Sequence, residues 1–394
     1  MPFGPNRDKE PTTRQGDQHE RDSQIKAVPS VSVVIPTYRE AENLPSLIAR
    51  LKELRTVGGM DLELLIMDDD SRDGTREFIE GLGEEWVRLF IRTSERGLGP
   101  AVCDGLKSAH GDVIVVMDAD LSHPPECIPA LVEALGAGHD FALGSRYVEG
   151  GSTAKDWGFF RRLNSRVATL LAKPFTDAKD PMSGFFALRR SACEQAAHCL
   201  NPIGYKIGLE LIVKCECERV KEIPFHFCDR KAGESKLTLA EQARYVRHIR
   251  RLFIYKYGAW ANLAQFLAVG ALGVIVNLAT LTLLMDFGLG IKFSIAAAIA
   301  VSMAFNFVLN RRFTFSHARN GSVTKQFFGY IGACSLGALL NYFVACGLSR
   351  QFPSLCPQLA AAGGIIAGVG ANFLFNQFAV FKTEKATEEE RAVV

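Results

Sequence analysis

The stretch VSVVIPTYREAENLPSLIARLKELRTVGGMDLELLIMDDD, residues 31–70, decides the fold. A short apolar run, a helical pattern and a second apolar run follow one another, which is the βαβ rhythm of a parallel sheet. VSVVIP and LELLIM are apolar nearly throughout, as strands are when both faces are covered. Downstream the rhythm continues through GTREFIEGL (74–82), VRLFIRT (87–93), GPAVCDGLKSA (99–109), DVIVVMDAD (112–120), ECIPALVEALGAG (126–138) and FALGSRY (141–147). Upstream, residues 1–30 hold almost nothing that could form a core. Ordering them would go uncompensated, so a disordered leader is expected there. It has no apolar h-region, which predicts no cleavable signal peptide and a soluble half that stays in the cytosol with reduced thiols.

The chain has 394 residues, enough for two or three units. Lys plus Arg number 45 against 43 Asp plus Glu, so the net charge of +2 gives no field for nucleic acid, and no such partner is expected. The ten cysteines are scattered, and Cys215-x-Cys217 has no matching partner motif, which argues against zinc and against a disulfide framework.

After Ala259 the composition turns apolar. Phe266–Met285 is twenty residues without a formal charge, and at about 1.5 Å rise per residue it reaches about 30 Å, the hydrocarbon thickness. Phe293–Asn310, Phe327–Ser349 and Leu359–Val380 are similar, so four transmembrane helices are expected. Asn306-Phe307-x-x-Asn310 recurs as Asn372-Phe373-x-x-Asn376, and Gln265-Phe266 recurs as Gln326-Phe327, the pattern of a duplicated two-helix hairpin. Arg311, Arg312, Arg319 and Lys325 crowd the middle loop, whereas the outer loops hold one basic residue each. That asymmetry places both termini in the cytoplasm. Residues 156–175 and 237–257 are amphipathic and basic, which suits either helices in the headgroup plane or ordinary surface helices.

Carboxylates gather at strand ends, where open α/β folds place ligands. Asp68, Asp69, Asp70 and Asp73 follow the second strand, and Asp118-Ala119-Asp120 follows the fourth. Acids so close repel unless they share a cation. Mg²⁺ or Mn²⁺, which also grips a diphosphate, is the economical solution, with a turn or helix cap as the alternative.

In order along the chain stand IPTYREAEN (35–43), DDDSRDGT (68–75), MDADLSHPP (117–125), GSRYVEGG (144–151), DPMSGFFALRR (180–190) and DRKAGESKL (229–237). This set resembles the family 2 glycosyltransferases, and within them the dolichol-phosphate mannose synthases. The apolar half, with FNFVLNRRFTF at 305–315, resembles the GtrA-like domain that some of these enzymes carry. The resemblance implies a GT-A, Rossmann-like catalytic domain with a mostly parallel sheet over 31–236 and amphipathic interface helices over 237–260. A GtrA-like domain of four transmembrane helices would follow over 261–381, and a cytoplasmic tail over 382–394.

It also implies an inverting, metal-dependent transfer of mannose from GDP-mannose to a polyprenyl or dolichyl phosphate at the cytoplasmic face of the bilayer. The alternatives are transfer from a UDP sugar such as UDP-glucose, and a lipid-linked-sugar flippase whose glycosyltransferase half is a scaffold. Pro36, Tyr38, Glu40, Asp68 and Asp69 match nucleotide-binding positions; Asp118, Ala119 and Asp120 match the segment that touches nucleotide and Mg²⁺ or Mn²⁺. Ser122 stands where the family often has a glutamine on the metal, so the third ligand is Ser122, a water or a diphosphate oxygen. Arg146, Arg161 (or its neighbour Arg162) and Ser165 match holders of the acceptor phosphate, while Arg230 and Lys236 match cations that close over the donor diphosphate.

The reaction explains the many cations and the lack of an obvious base. Negative charge develops on the departing diphosphate, where cations stabilise it. The nucleophile is a phosphate monoester already carrying roughly −1.5 to −2 charge, so it needs steering rather than deprotonation. The histidines read as structural or incidental, with only His123 beside the acid pair. The transmembrane asparagines read as interhelical hydrogen-bonding or capping groups, or as guides for the glycosylated lipid.

Overall fold

The structure, a computed structural model, describes residues 29–153, 159–227, 239–354 and 357–381. It divides into two compact units, residues 1–249 and 250–394. The division falls inside one long helix.

In the first unit the apolar runs form strands β1 (Val31–Thr37), β2 (Leu62–Asp68), β3 (Val87–Ile91), β4 (Val113–Val116) and β5 (Phe141–Ser145). Between them lie helices α1 (Leu44–Thr56), α2 (Thr75–Leu82), α3 (Leu98–Ser108) and α4 (Ile128–Gly136). The chain continues through α5 (Phe159–Ala172), β6 (Phe186–Arg189), α6 (Arg190–Ala196), α7 (Ile207–Lys214), β7 (Val220–Pro224) and α8 (Leu239–Tyr257). One sheet results, ordered β3-β2-β1-β4-β6-β5-β7. All its pairings are parallel except those of β6, which runs against both β4 and β5.

Side chains alternate across the sheet, as a period of two requires. Val31, Val33, Ile35, Leu64 and Val115 pack on one face with Leu47 and Leu51 of α1 and Leu131 of α4. Val34, Leu65, Ile114 and Val116 pack on the other with Val102 and Leu106 of α3 and Leu211 of α7. Because β1, β2 and β4 are parallel, their C-terminal ends share one edge. There β1 has β2 on one side and β4 on the other, the crevice in which such sheets bind ligands.

Helix α8 holds to the first unit through its N-terminal half. The Tyr245 hydroxyl donates to the Ala168 carbonyl at 2.7 Å, and fully buried His248 lies 3.6 Å from the equally buried Glu210 carboxylate. An amphipathic pattern thus covers packing against protein as well as any face turned to lipid.

The second unit contains α9 (Ala259–Asp286), α10 (Ile291–Leu309), α11 (Val323–Gln351) and α12 (Pro357–Phe375). Four helical segments, 259–286, 291–314, 323–351 and 362–380, are long and apolar enough to cross a bilayer, and the protein is an integral membrane protein. The internal repeat is plain in three dimensions. α10 and α12 each end in a π-helical turn, Asn310–Thr314 and Asn376–Val380, closed by bonds from Phe315 N–H to Asn310 and from Phe381 N–H to Asn376. The two closing phenylalanines stack, ring centroids 4.7 Å apart and 12° from parallel.

Arg250 donates to Gln265 at 2.8 Å, and Arg311 to Gln326 at 2.8 Å, both pairs fifteen residues apart. The first repeat therefore reaches back into α8. Small residues bring each hairpin together: a Cβ on Gly273 would lie 2.2 Å from the Asn306 amide oxygen, and one on Gly337 2.8 Å from the Gly368 carbonyl. Within their own helices the Asn376 amide donates to Asn372 and the Asn310 amide oxygen accepts from Thr314, while Asn277 to Ser302, Asn372 to Cys334 and Asn310 to Tyr330 cross between helices.

Candidate active site

Backbone strain marks the strand ends. Arg39 after β1, Asp70 and Arg72 after β2, Glu95 after β3 and Leu121 after β4 all have φ between 48° and 61°, a region that non-glycine residues seldom enter. Such residues persist where the surroundings over-determine them, and they concentrate at binding sites.

The loop after β2 is fully knitted. Asp68, 1% exposed, accepts from the Thr37 hydroxyl at 3.1 Å, from Ser71 N–H at 2.9 Å and from the Ser71 hydroxyl. Asp69 accepts from the Arg92 guanidinium and from Gly97 N–H at 2.7 Å. Ser71 and Asp73 reach across to the Arg39 and Ala41 amides, so this loop also shapes the one holding Pro36, Tyr38 and Glu40. The carboxylates of Asp68 and Asp69 are thus engaged inside the protein, where they shape the loops at the ends of β1 and β2. Tyr38 is 48% exposed, and Glu40 accepts from the Asn43 amide at 2.6 Å. Asp70 meets Arg72 and Arg96 at 2.9 and 2.8 Å, and the Arg72 hydrogen bonds, ahead of other influences, hold its carboxyl below the usual range.

The loop after β4 differs. Ala119 is buried at 3% exposure, while the Asp118 carboxylate is 28% exposed. Among the described residues no N–H or O–H donates to the Asp118 carboxylate. Its backbone N–H donates to His123 Nδ1 at 3.0 Å, which makes Nδ1 an acceptor and the ring neutral. Burial, the largest influence, pushes the His123 pKa down despite Asp118 and Asp120 nearby. The ring stacks on Phe185 at 5.2 Å and meets Phe225 and Phe227 edge-on. Asp120 accepts from the Ser122 hydroxyl at 2.5 Å. Ser122, 1% exposed, therefore aims its hydroxyl at Asp120.

A carboxylate that accepts from no donor among the described residues, beside a second that Ser122 fixes, is a donor set that fits a hard divalent cation. Two protein oxygens leave the remaining positions of such a cation to waters or phosphate oxygens. Among the described residues no group of three or more His, Cys, Asp and Glu side chains is placed to hold a metal.

The same aromatic cluster leads to Arg146 at the end of β5. Its guanidinium lies over Phe227 at 5.4 Å and Tyr147 at 5.5 Å. Nε and Nη2 each donate to Asp180 at 2.7 Å. Burial opposes the Arg146 charge, and the Asp180 bonds more than offset it, so its pKa stands above the ordinary value. Ser165 on α5 shares a 2.9 Å hydrogen bond with the Tyr147 hydroxyl, which brings it to the Arg146 loop. The Arg161 side chain, Arg230 and Lys236 lie outside the described residues.

Two residues of this site carried no role in the sequence reading. Asp180 stood inside a quoted motif, and its cue was a charge beside the apolar GFFAL run. Lys206, just before α7, donates to the Met182 carbonyl at 3.3 Å. Burial, with the Arg146 charge next in weight, pulls it down to about 8. Nothing in its local pattern separated it from a surface lysine.

Residues 32–196 match the family model of glycosyl transferase family 2, and residues 265–381 that of the GtrA/DPMS transmembrane domain. The dolichol-phosphate mannosyltransferase of Pyrococcus furiosus is 39% identical over 358 residues, spanning 90% of this chain and 99% of its own. That of Mycosarcoma maydis is 42% identical over 240 residues, covering 59% and 82%. Among solved structures, glucosyl-3-phosphoglycerate synthase from Mycobacterium tuberculosis aligns at 20% identity and a TM-score of 0.43, over 59% of this chain and 81% of that one.

Proposed function

The chain belongs to the dolichol-phosphate mannosyltransferases of glycosyltransferase family 2, and from that premise we propose that it transfers mannose from GDP-mannose to a polyprenyl phosphate. One observation carries the reading. At a single sheet edge, Asp118, whose carboxylate accepts from no donor among the described residues, and Asp120, fixed by the Ser122 hydroxyl, meet a guanidinium, Arg146, through a shared aromatic cluster.

Tyr38 offers an exposed ring at the mouth of the crevice, and the loops that Asp68, Asp69, Ser71 and Asp73 tie together shape the nucleotide pocket. Asp118 and Asp120 would hold Mg²⁺ or Mn²⁺, which when bound supplies positive charge to the departing diphosphate. Arg146 and Ser165, with Arg161, receive the acceptor phosphate and set one oxygen in line with the anomeric carbon. A guanidinium grips two phosphate oxygens and keeps the anionic acceptor from being repelled by the acid pair. Arg230, Lys236 and Lys206 add charge around the leaving diphosphate. Attack by an already ionised oxygen calls for no protein base, and a single displacement inverts the centre, so an α-linked donor yields a β-mannosyl phosphate. The basic loop between the two hairpins supports catalysis on the cytoplasmic side.

The test is to incubate the detergent-solubilised full chain with short-chain polyprenyl phosphate and radiolabelled GDP and UDP sugars, with and without Mn²⁺. Mannolipid from GDP-mannose alone, abolished by chelation and cut about 10²–10³-fold in Asp120→Asn, is expected. Product only from UDP-glucose overturns the donor, and unaltered turnover in Asp120→Asn overturns the metal site.

A further inference from the structure

We infer that Asp180 is the positioning residue of the reaction, locking the Arg146 guanidinium in the orientation in which it receives the acceptor phosphate. The inference rests on the proposed acceptor role of Arg146 and adds to it a residue with no substrate contact of its own.

Asp180 is fully buried, and three donors of one residue converge on it: Arg146 N–H at 3.0 Å, Nε at 2.7 Å and Nη2 at 2.7 Å. Bonding backbone and fork together fixes the side-chain torsions between them, which no single salt bridge does. Asp180 is itself fixed, since the Glu222 carboxylate on edge strand β7 accepts the Lys179 and Asp180 amides at 2.9 and 3.0 Å. Tyr147 and Phe227 then set the plane of the guanidinium. The relay runs from β7 through the segment before β6 to the end of β5, three neighbouring elements of one rigid sheet.

The charge arithmetic separates this role from its rivals. An aspartate beside Arg146 cancels positive charge that would attract phosphate, so if charge alone mattered Asp180 would weaken acceptor binding. Its gain is geometric: a long side chain held in place before the acceptor arrives loses no freedom on binding it. Removing the charge while keeping the shape therefore has opposite consequences under the two views.

The experiment measures KM for short-chain polyprenyl phosphate and for GDP-mannose, with kcat, in the full chain carrying Asp180→Asn, Glu222→Gln, Arg146→Lys or the Asp180→Asn/Arg146→Lys pair. Asp180→Asn is expected to raise acceptor KM at least tenfold and leave donor KM within twofold, with the double variant no worse than the poorer single one. Glu222→Gln is expected to raise acceptor KM about threefold; it tests the relay by itself should Asp180→Asn fail to fold. A fall in acceptor KM, or a loss of kcat with both KM values unchanged, overturns the inference. If Arg146→Lys raises donor rather than acceptor KM, the acceptor role of Arg146 has failed. If Arg146→Lys raises acceptor KM and neither Asp180→Asn nor Glu222→Gln does, only the positioning role has failed.

Discussion

Lys206 is protonated less readily in the fold than in the open chain, because burial and the nearby Arg146 charge both disfavour its ammonium. Its pKa is about 8 in the folded protein against an ordinary 10.5, so between those values the unfolded state binds more protons and stability rises with pH. Lys206→Met is expected to remove that rise, measured as the difference in denaturant midpoint between pH 8 and pH 10; an unchanged slope would place the titration elsewhere. At this scale the sequence exposed Asp118, Asp120 and Arg146 as candidates, since each sits directly after an apolar strand. It did not expose the partners of those side chains. Asp180 lies thirty-four residues from Arg146, and the antiparallel β6, only four residues long, is what brings the two together.

The hairpin repeat makes an element-level comparison inside one molecule. In the first π turn Thr314 donates to the buried Asn310 amide oxygen at 2.8 Å. In the second, Val380 stands in the place of that threonine, and the buried Asn376 amide oxygen has no partner among the described residues. An unmet buried acceptor costs about 1–3 kcal/mol, so Val380→Thr, nearly equal in shape, is expected to stabilise the membrane unit by about 1 kcal/mol. Thermal unfolding in detergent checks it, and a lower midpoint would mean that the hydroxyl finds no acceptor. The duplication itself was legible, because the Asn-Phe-x-x-Asn and Gln-Phe signatures survive in both copies. The π turns were not, since widening a last helical turn depends on which groups meet its carbonyls. The two stacked rings of Phe315 and Phe381 come together only when both copies are assembled.

For the molecule as a whole, Arg311, Arg312, Arg319 and Lys325 lie around the connection between the two hairpins, whereas the connection between α9 and α10 has Lys292, in the first turn of α10, as its one cation. In a background with native cysteines replaced, Leu289→Cys is expected to react with an impermeant maleimide on intact cells, and Ser322→Cys only after permeabilisation. The reverse labelling would put the catalytic unit outside. Apolar periodicity and charge placement by themselves determined that this chain has an α/β half and a four-helix membrane half, because strands, amphipathic helices and bilayer spans are set by which neighbours along the chain are apolar. The tertiary structure decided which polar groups meet: Asp180 with Arg146, the neutral His123 with the Asp118 N–H, Ser122 on Asp120. The first joins residues thirty-four positions apart and the other two fold one loop back on itself, and their strength comes from burial and distance, quantities that exist only once the sheet has closed around them.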